Sequence, residues 1–363
     1  MGMRKTPREL VRDEILALKA YHVSPAQGMV KLDAMENPYR LPEELAARMG
    51  ELLAAVAVNR YPDPGAAGLK ARLREAMAIP GNLGVVLGNG SDELIQIISL
   101  ALARPRAVAL APEPSFVMYR LSAIAAGLEF VGVPLAPDFS LDEAAMLAAI
   151  ASRRPALVWL AYPNNPTGNL FSREAILRIV AATPGLVVVD EAYYAFSGGA
   201  TLLDEVGRHP NLVVVRTVSK LGLAGLRLGI AAGPAVWMDE FEKLRPPYNV
   251  GALNMAAAEL LLAHGDVLVE QTRRIVAERA RLEAALDGIA AVQRFASAAN
   301  FVLVRVPDAA AAFEGLKARG ILVRSFHGSH PLLANCLRLT VGTPDENAKL
   351  TEALASILSP PNA

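Results

Sequence analysis

A single cysteine, Cys336, in 363 residues excludes an internal disulfide, and no group of Cys and His stands at zinc-binding spacing. A reducing compartment without a structural metal is therefore expected, with Cys336 as an inert core residue. Net charge of one sign is missing too, because 36 Lys and Arg balance 36 Asp and Glu. Such a chain lacks the broad electrostatic footprint of a nucleic-acid or membrane-surface binder, so small anionic ligands in local basic pockets are the natural partners. The opening residues, MGMRKTPRELVRDEILALKA, have no long apolar run and fit neither a secretory signal nor a membrane span. A cytoplasmic protein is expected. Internal repeats, low-complexity tracts and a Walker sequence are likewise absent.

What is present is an apolar fraction of 53% and a length beyond one ordinary core, which predict two domains or one large α/β unit. From Leu69 onward, strand and helix signals alternate, the pattern of a wound sheet with helices on its faces. Strands are expected near 85–87, 107–111, 130–135, 157–162, 186–189 and 212–215. The Pro-rich break Arg245-Pro246-Pro247-Tyr248-Asn249 marks the expected domain boundary. This divides the chain into an arm over 1–39, a large domain over 40–249 and a small α+β domain over 250–363. Within the arm, a short helical pattern covers Glu9 to Ala20, and helices are also expected over Pro42–Val58 and Leu69–Met77.

Chemistry gathers where strands end. The run Leu212 to Val215 delivers Lys220 into a loop of small residues, with Ser219 and Arg227 flanking it like an anion clamp. Apolar walls and neighbouring cations favour the neutral amine, the form that attacks carbonyls. The strand Leu186–Val189 ends in Asp190, with Tyr193 three residues on, and open α/β sheets bind ligands at this carboxyl edge. Pro163-Asn164-Asn165-Pro166 fixes a rigid turn with projecting amides. In Gly88-Asn89-Gly90-Ser91-Asp92-Glu93, Ser91 is placed as the N-cap of a helix whose amides suit a phosphate. Glu93 stands where a dinucleotide fingerprint needs its third glycine, which argues against a nucleotide-binding oxidoreductase. Tyr119 is a core aromatic or a ring stacked on a ligand, and Tyr61 sits on a proline-rich loop. Arg324 and Arg338 lie in late strands, where outward-pointing charges are the default.

Seven stretches in order, KLDAMENPY, RYPDP, GNGSDE, YPNNPTG, VVDEAY, SKLGLAGLRLG and CLRLTVGT, together resemble the fold type I aminotransferases that use pyridoxal phosphate. Within them they are similar to the histidinol-phosphate aminotransferase family, from about Tyr21 to Thr343. The resemblance implies a large domain with a mostly parallel central sheet, a smaller α+β domain, an N-terminal arm and a homodimer. It implies that Lys220 binds the cofactor and acts as the base. Asp190 would pair with the pyridine nitrogen, and Tyr193 and Asn165 would bond the phenolic oxygen. Tyr119 would stack on the ring. Ser91, Asp92, Ser219, Arg227 and the neighbouring subunit's Tyr61 would hold the phosphate, while Arg338, Arg324 and Tyr21 would bind the substrates, histidinol phosphate and glutamate or 2-oxoglutarate.

Two departures stand out. Leu221 to Leu226 gives six positions between Lys220 and Arg227 (227 − 220 − 1 = 6), one fewer than in many family members, and Met35 replaces the asparagine common in the arm motif. An aromatic aminotransferase or an amino-acid phosphate decarboxylase on the same scaffold remains the enzymatic alternative, and a ligand-binding regulator with a structural Lys220 the non-enzymatic one.

Overall fold

The computed structural model describes residues 5–20 and 25–359. Strands, in chain order, are β1 (Val30–Lys31), β2 (Gly84–Gly88), β3 (Val108–Glu113), β4 (Glu129–Pro134), β5 (Leu157–Ala161), β6 (Leu186–Asp190), β7 (Leu212–Thr217) and β8 (Gly229–Gly233). They continue with β9 (Gln293–Arg294), β10 (Phe301–Arg305), β11 (Ile321–Leu322), β12 (Arg324–Ser325) and β13 (Cys336–Thr340). The large sheet has the order β2-β8-β7-β6-β5-β3-β4. Its strands from β3 to β7 pair in parallel, and only β8 runs antiparallel to its two neighbours. The sequence reading had no strand over Gly229–Gly233, because GIAAG has small side chains in place of a bulky β-branched run.

Burial on both faces explains the near-continuous apolar strands β5, β6 and β7. Alternate side chains feed two cores. Val187, Val189, Leu212 and Val214 face one, while Leu186, Val188, Val213 and Val215 face the other with Trp159 and Tyr119. Helices Ser91–Ala101, Val117–Ala126 and Ala235–Glu242 cover that second face. Connections therefore return to the same edge, and the carboxyl ends of the parallel strands converge.

A second sheet, β12-β13-β10-β9, is antiparallel and packs with the end of helix Gly265–Asp287 and with helices Ala309–Ala318 and Pro344–Leu358. The arm joins this unit: β1 pairs in parallel with β11, and Leu32 and Met35 enter its core. The packing changes later than residue 249. Ala258, Leu261, Leu262 and Leu268 belong to the large core, whereas Ile275, Leu282 and Leu286 belong to the small one. Helix Ala252–Ala263 thus sides with the large sheet, and the changeover falls inside helix Gly265–Asp287, because Pro246 and Pro247 break a helix without ending a core. The arm pattern over Glu9 to Ala20 resolves into two short helices, Pro7–Leu10 and Asp13–Leu16. Among the described residues, no single helix is long and apolar enough to cross a membrane.

Candidate active site

Lys220 owes its position to an abrupt change of backbone. Strand β7 runs to Thr217, and a 3-10 turn, Ser219–Leu221, follows at once and is closed by Gly222 at φ +112. A Cβ at Gly222 would lie 2.8 Å from Nδ2 of Asn37, so both the dihedral and the space call for glycine. The Lys220 amine sits 3.4 Å from the carbonyl oxygen of Ala34 and 5.7 Å from the centre of the Tyr193 ring. Burial, followed by the Arg338 guanidinium, lowers its pKa to about 8. Near neutral pH an appreciable fraction is already the neutral nucleophile.

Asp190 ends β6 on the same face as Thr217 and accepts hydrogen bonds from the Tyr119 hydroxyl at 2.8 Å and the Ala192 amide at 3.0 Å. Burial raises it to about 6 despite both donors. Tyr119 is itself buried, stacks on Trp159 with ring centres 5.0 Å apart, and is raised well above its usual range by burial and by Asp190. Tyr119, expected as a ring that stacks on a ligand, has a polar contact with Asp190 in the cleft. Asn165 is oriented by its neighbours: its Oδ1 accepts from Arg338 Nη1 at 2.5 Å and its Nδ2 donates to the Tyr193 hydroxyl at 3.3 Å. Arg338 also donates to the Asp33 carbonyl at 2.8 Å and lies 5.3 Å from the centres of the Phe301 and Phe326 rings. Its burial overturns the default of an outward charge.

The third part of the site is the turn after β2. Gly90, at φ +83, is the N-cap, and Ser91 is the first helical residue rather than the cap expected from sequence. The positive φ favours glycine, and a Cβ here would also push aside Nη2 of Arg227, 2.6 Å away. Arg227 itself takes a left-handed conformation (φ 47), which closes the short loop after Lys220 and brings Nη2 to 3.3 Å from Asp92 Oδ2. The Thr217 and Ser219 hydroxyls stand 2.9 Å apart beneath it.

Ser91, Asp92, Tyr119, Asn165, Asp190, Tyr193, Ser219, Lys220 and Arg227 line one cleft of about 550 Å³, open solvent at its mouth included. Arg338 joins it through Asn165. Arg324 does not line this cleft, but pairs in register with Arg338 across β12 and β13, so the two project from the same face of the sheet. Tyr61 is 80% exposed, stacks on Tyr248 and does not line its own chain's cleft. Tyr21 lies outside the described residues. Met35 and Thr217 also line the cleft and were not among the expected site residues. Thr217 was legible in principle, two residues beyond Val215 on the ligand-facing side of β7, whereas Met35 (φ 53) stood out in the sequence only as a departure from the arm motif, with no contact assigned to it.

These donors suit pyridoxal 5'-phosphate: amides at a helix N-terminus, a serine hydroxyl and an arginine for a phosphate, a buried carboxylate for the pyridine nitrogen, and an amine of lowered pKa for the carbonyl carbon. Such a site on a mostly parallel sheet defines a fold type I aminotransferase. A model of the family described as aminotransferase class I and II matches residues 27–354. The histidinol-phosphate aminotransferase of Chromobacterium violaceum is 56% identical over 97% of this chain and 99% of its own length. Histidinol-phosphate aminotransferase 1 of Burkholderia lata is 55% identical over 96% and 98%. The crystal structure of histidinol-phosphate aminotransferase from Sinorhizobium meliloti in complex with pyridoxal-5'-phosphate superposes with a TM-score of 0.85 at 26% identity, covering 95% of this chain and 96% of that one. The chain belongs to the histidinol-phosphate aminotransferases of the class I and II aminotransferase family.

Proposed function

We infer that this enzyme transfers the amino group of L-histidinol phosphate to 2-oxoglutarate, giving imidazole acetol phosphate and L-glutamate, a step of histidine biosynthesis that uses pyridoxal 5'-phosphate. The observation that carries the reading is one cleft joining a lysine of lowered pKa, a buried carboxylate and, through Asn165, a buried arginine.

When bound, the cofactor supplies a carbonyl that condenses with amines and a ring that accepts the electron pair left by removal of a carbon-bound proton. The protein does the rest. Asp190 holds a proton on the pyridine nitrogen, and Tyr119 and Ala192 keep its carboxylate aimed. Tyr193 and Asn165 bond the phenolic oxygen, and the amides of Ser91 and Asp92, with Ser219 and Arg227, hold the phosphate. The Lys220 amine would serve as the base that removes the proton from the substrate carbon bearing nitrogen. Arg338 presents a planar fork to the carboxylate of glutamate. Arg324, beside it on the same face, supplies a second anion donor.

The working unit is a homodimer with shared sites. Tyr61 is exposed, on a loop that does not reach its own cleft, and supplies a phosphate contact to the adjacent subunit. A cytoplasmic setting suits the lone, unpaired Cys336.

Cofactor absorbance during a half-reaction tests the substrate. A site built for an anion rejects an analogue lacking it by about 10⁴-fold. Histidinol phosphate should therefore convert the cofactor, and histidinol should scarcely do so. Arg324→Ala should narrow that gap by weakening the phosphorylated substrate more. Phenylalanine reacting as well as histidinol phosphate would favour an aromatic aminotransferase.

A further inference from the structure

Glu93 disqualified the dinucleotide fingerprint, and its carboxylate has a distinct destination. As the third residue of helix Ser91–Ala101 it turns back so that Oε2 accepts the Asn89 amide at 2.6 Å. The same oxygen accepts from Nδ2 of Asn249 at 2.6 Å, and that amide also donates to the Leu87 carbonyl at 3.2 Å. On its other side, Asn249 Oδ1 accepts from Arg245 Nη1 at 2.7 Å, and Arg245 Nη2 donates to the Pro64 carbonyl at 2.8 Å. One hydrogen-bonded chain therefore runs from the turn Asn89–Ser91 to the loop that carries Tyr61. Tyr61 is fixed there by its stack on Tyr248, with ring centres 4.3 Å apart and planes at 15°.

The turn needs an external hold. It contains Gly90 and follows Gly88, the last residue of β2, and glycine loses more conformational freedom on ordering than any other residue. Amides bind an anion well only when fixed before it arrives. A carboxylate beside a phosphate seat is electrostatically adverse, so what Glu93 contributes lies in the two donors it fixes. We propose that Glu93 and Asn249 are positioning residues that hold the Asn89–Ser91 turn in the shape that receives the cofactor phosphate, and that Arg245 extends this hold to the Tyr61 loop. The proposal rests on the reading of that turn as the phosphate seat.

The test compares two probes on the cofactor-free protein, pyridoxal 5'-phosphate and pyridoxal, which lacks the phosphate, with binding followed by absorbance. Glu93→Ala and Asn249→Ala should each weaken pyridoxal phosphate by about tenfold or more, the size of a lost charge-assisted hydrogen bond, and leave pyridoxal unchanged. Glu93→Gln keeps an acceptor oxygen and should restore most of the affinity. Equal losses for both probes, or full affinity for pyridoxal phosphate in Glu93→Ala, would overturn the proposal. Arg227→Ala separates the two levels, because it must weaken pyridoxal phosphate and spare pyridoxal if the seat is correctly placed. No effect of Arg227→Ala removes the seat and the proposal together, whereas a normal Arg227→Ala loss with an unaffected Glu93→Ala removes the positioning role alone.

Discussion

Asp190 and Glu191 are consecutive buried carboxylates on opposite faces of one sheet, and the protein treats them in opposite ways. Glu191 is satisfied from within: it accepts two hydrogen bonds from Arg216, at 2.7 and 2.9 Å, together with the Leu202 amide and the Thr201 hydroxyl. Arg216 in turn lies 3.8 Å from the centre of the Tyr194 ring and donates to the Met77 carbonyl. Asp190 has only neutral donors, Tyr119 and Ala192, and burial raises it to about 6. Lys220, one strand along and on the Asp190 face, sits beside a carbonyl oxygen and is lowered to about 8. The protein neutralises the pair on the far face and leaves the pair on the pocket face for a ligand to complete. Structural and functional charges are thus told apart by what compensates them, since burial is common to both.

Breaking the far-face pair should have the largest effect on stability. Arg216→Met leaves Glu191 buried without its counterion and should cost about 3–5 kcal/mol, read from denaturant midpoints. Adding Glu191→Leu should recover most of that loss, because replacing both charges by apolar groups is often close to neutral.

On the pocket face the sign reverses. The folded pKa of Asp190, about 6, exceeds its unfolded value, so the native state binds the extra proton between about pH 4 and 6 and its stability falls as pH rises through that window. At pH 7 the ionised group costs about 3 kcal/mol by that shift, an upper figure for what Asp190→Asn can regain. Thermal unfolding of the cofactor-free variant should therefore show a gain at pH 7 that vanishes by pH 4, alongside a severe loss of activity in the loaded enzyme. Destabilisation by Asp190→Asn at pH 7 would place Asp190 with Glu191 as a structural charge.

The smallest effect concerns the Lys220 amine. In the cofactor-free protein its reactivity toward an amine-acylating reagent should rise through about pH 8, while exposed lysines follow the ordinary range above 10. Arg338→Met should move that midpoint upward, because it removes a neighbouring positive charge.

Much of the pocket face was legible because its residues sit in short contiguous stretches that end parallel strands. Topology then brings Asp190, Asn165, Ser91 and Lys220 to one edge without further information. The far face was not legible. Arg216 and Glu191 are 25 residues apart and meet only because β6 and β7 are neighbours, so no local pattern marks them as partners. The Tyr119 bond to Asp190 spans 71 residues, and the link between Glu93 and Asn249 spans 156. The changeover between the two cores, inside helix Gly265–Asp287, was not legible for a related reason. Chain breakers report where a helix stops, whereas Ala258 and Leu261 report which core it joins.

Lys220 is proposed as the amine left without a counterion so that it can hold the cofactor. Borohydride reduction of the enzyme loaded with pyridoxal 5'-phosphate, followed by peptide mapping, tests it most directly. A single pyridoxyl-modified lysine, Lys220, is expected, and none in Lys220→Ala; modification of another lysine with Lys220 untouched would rule out that role.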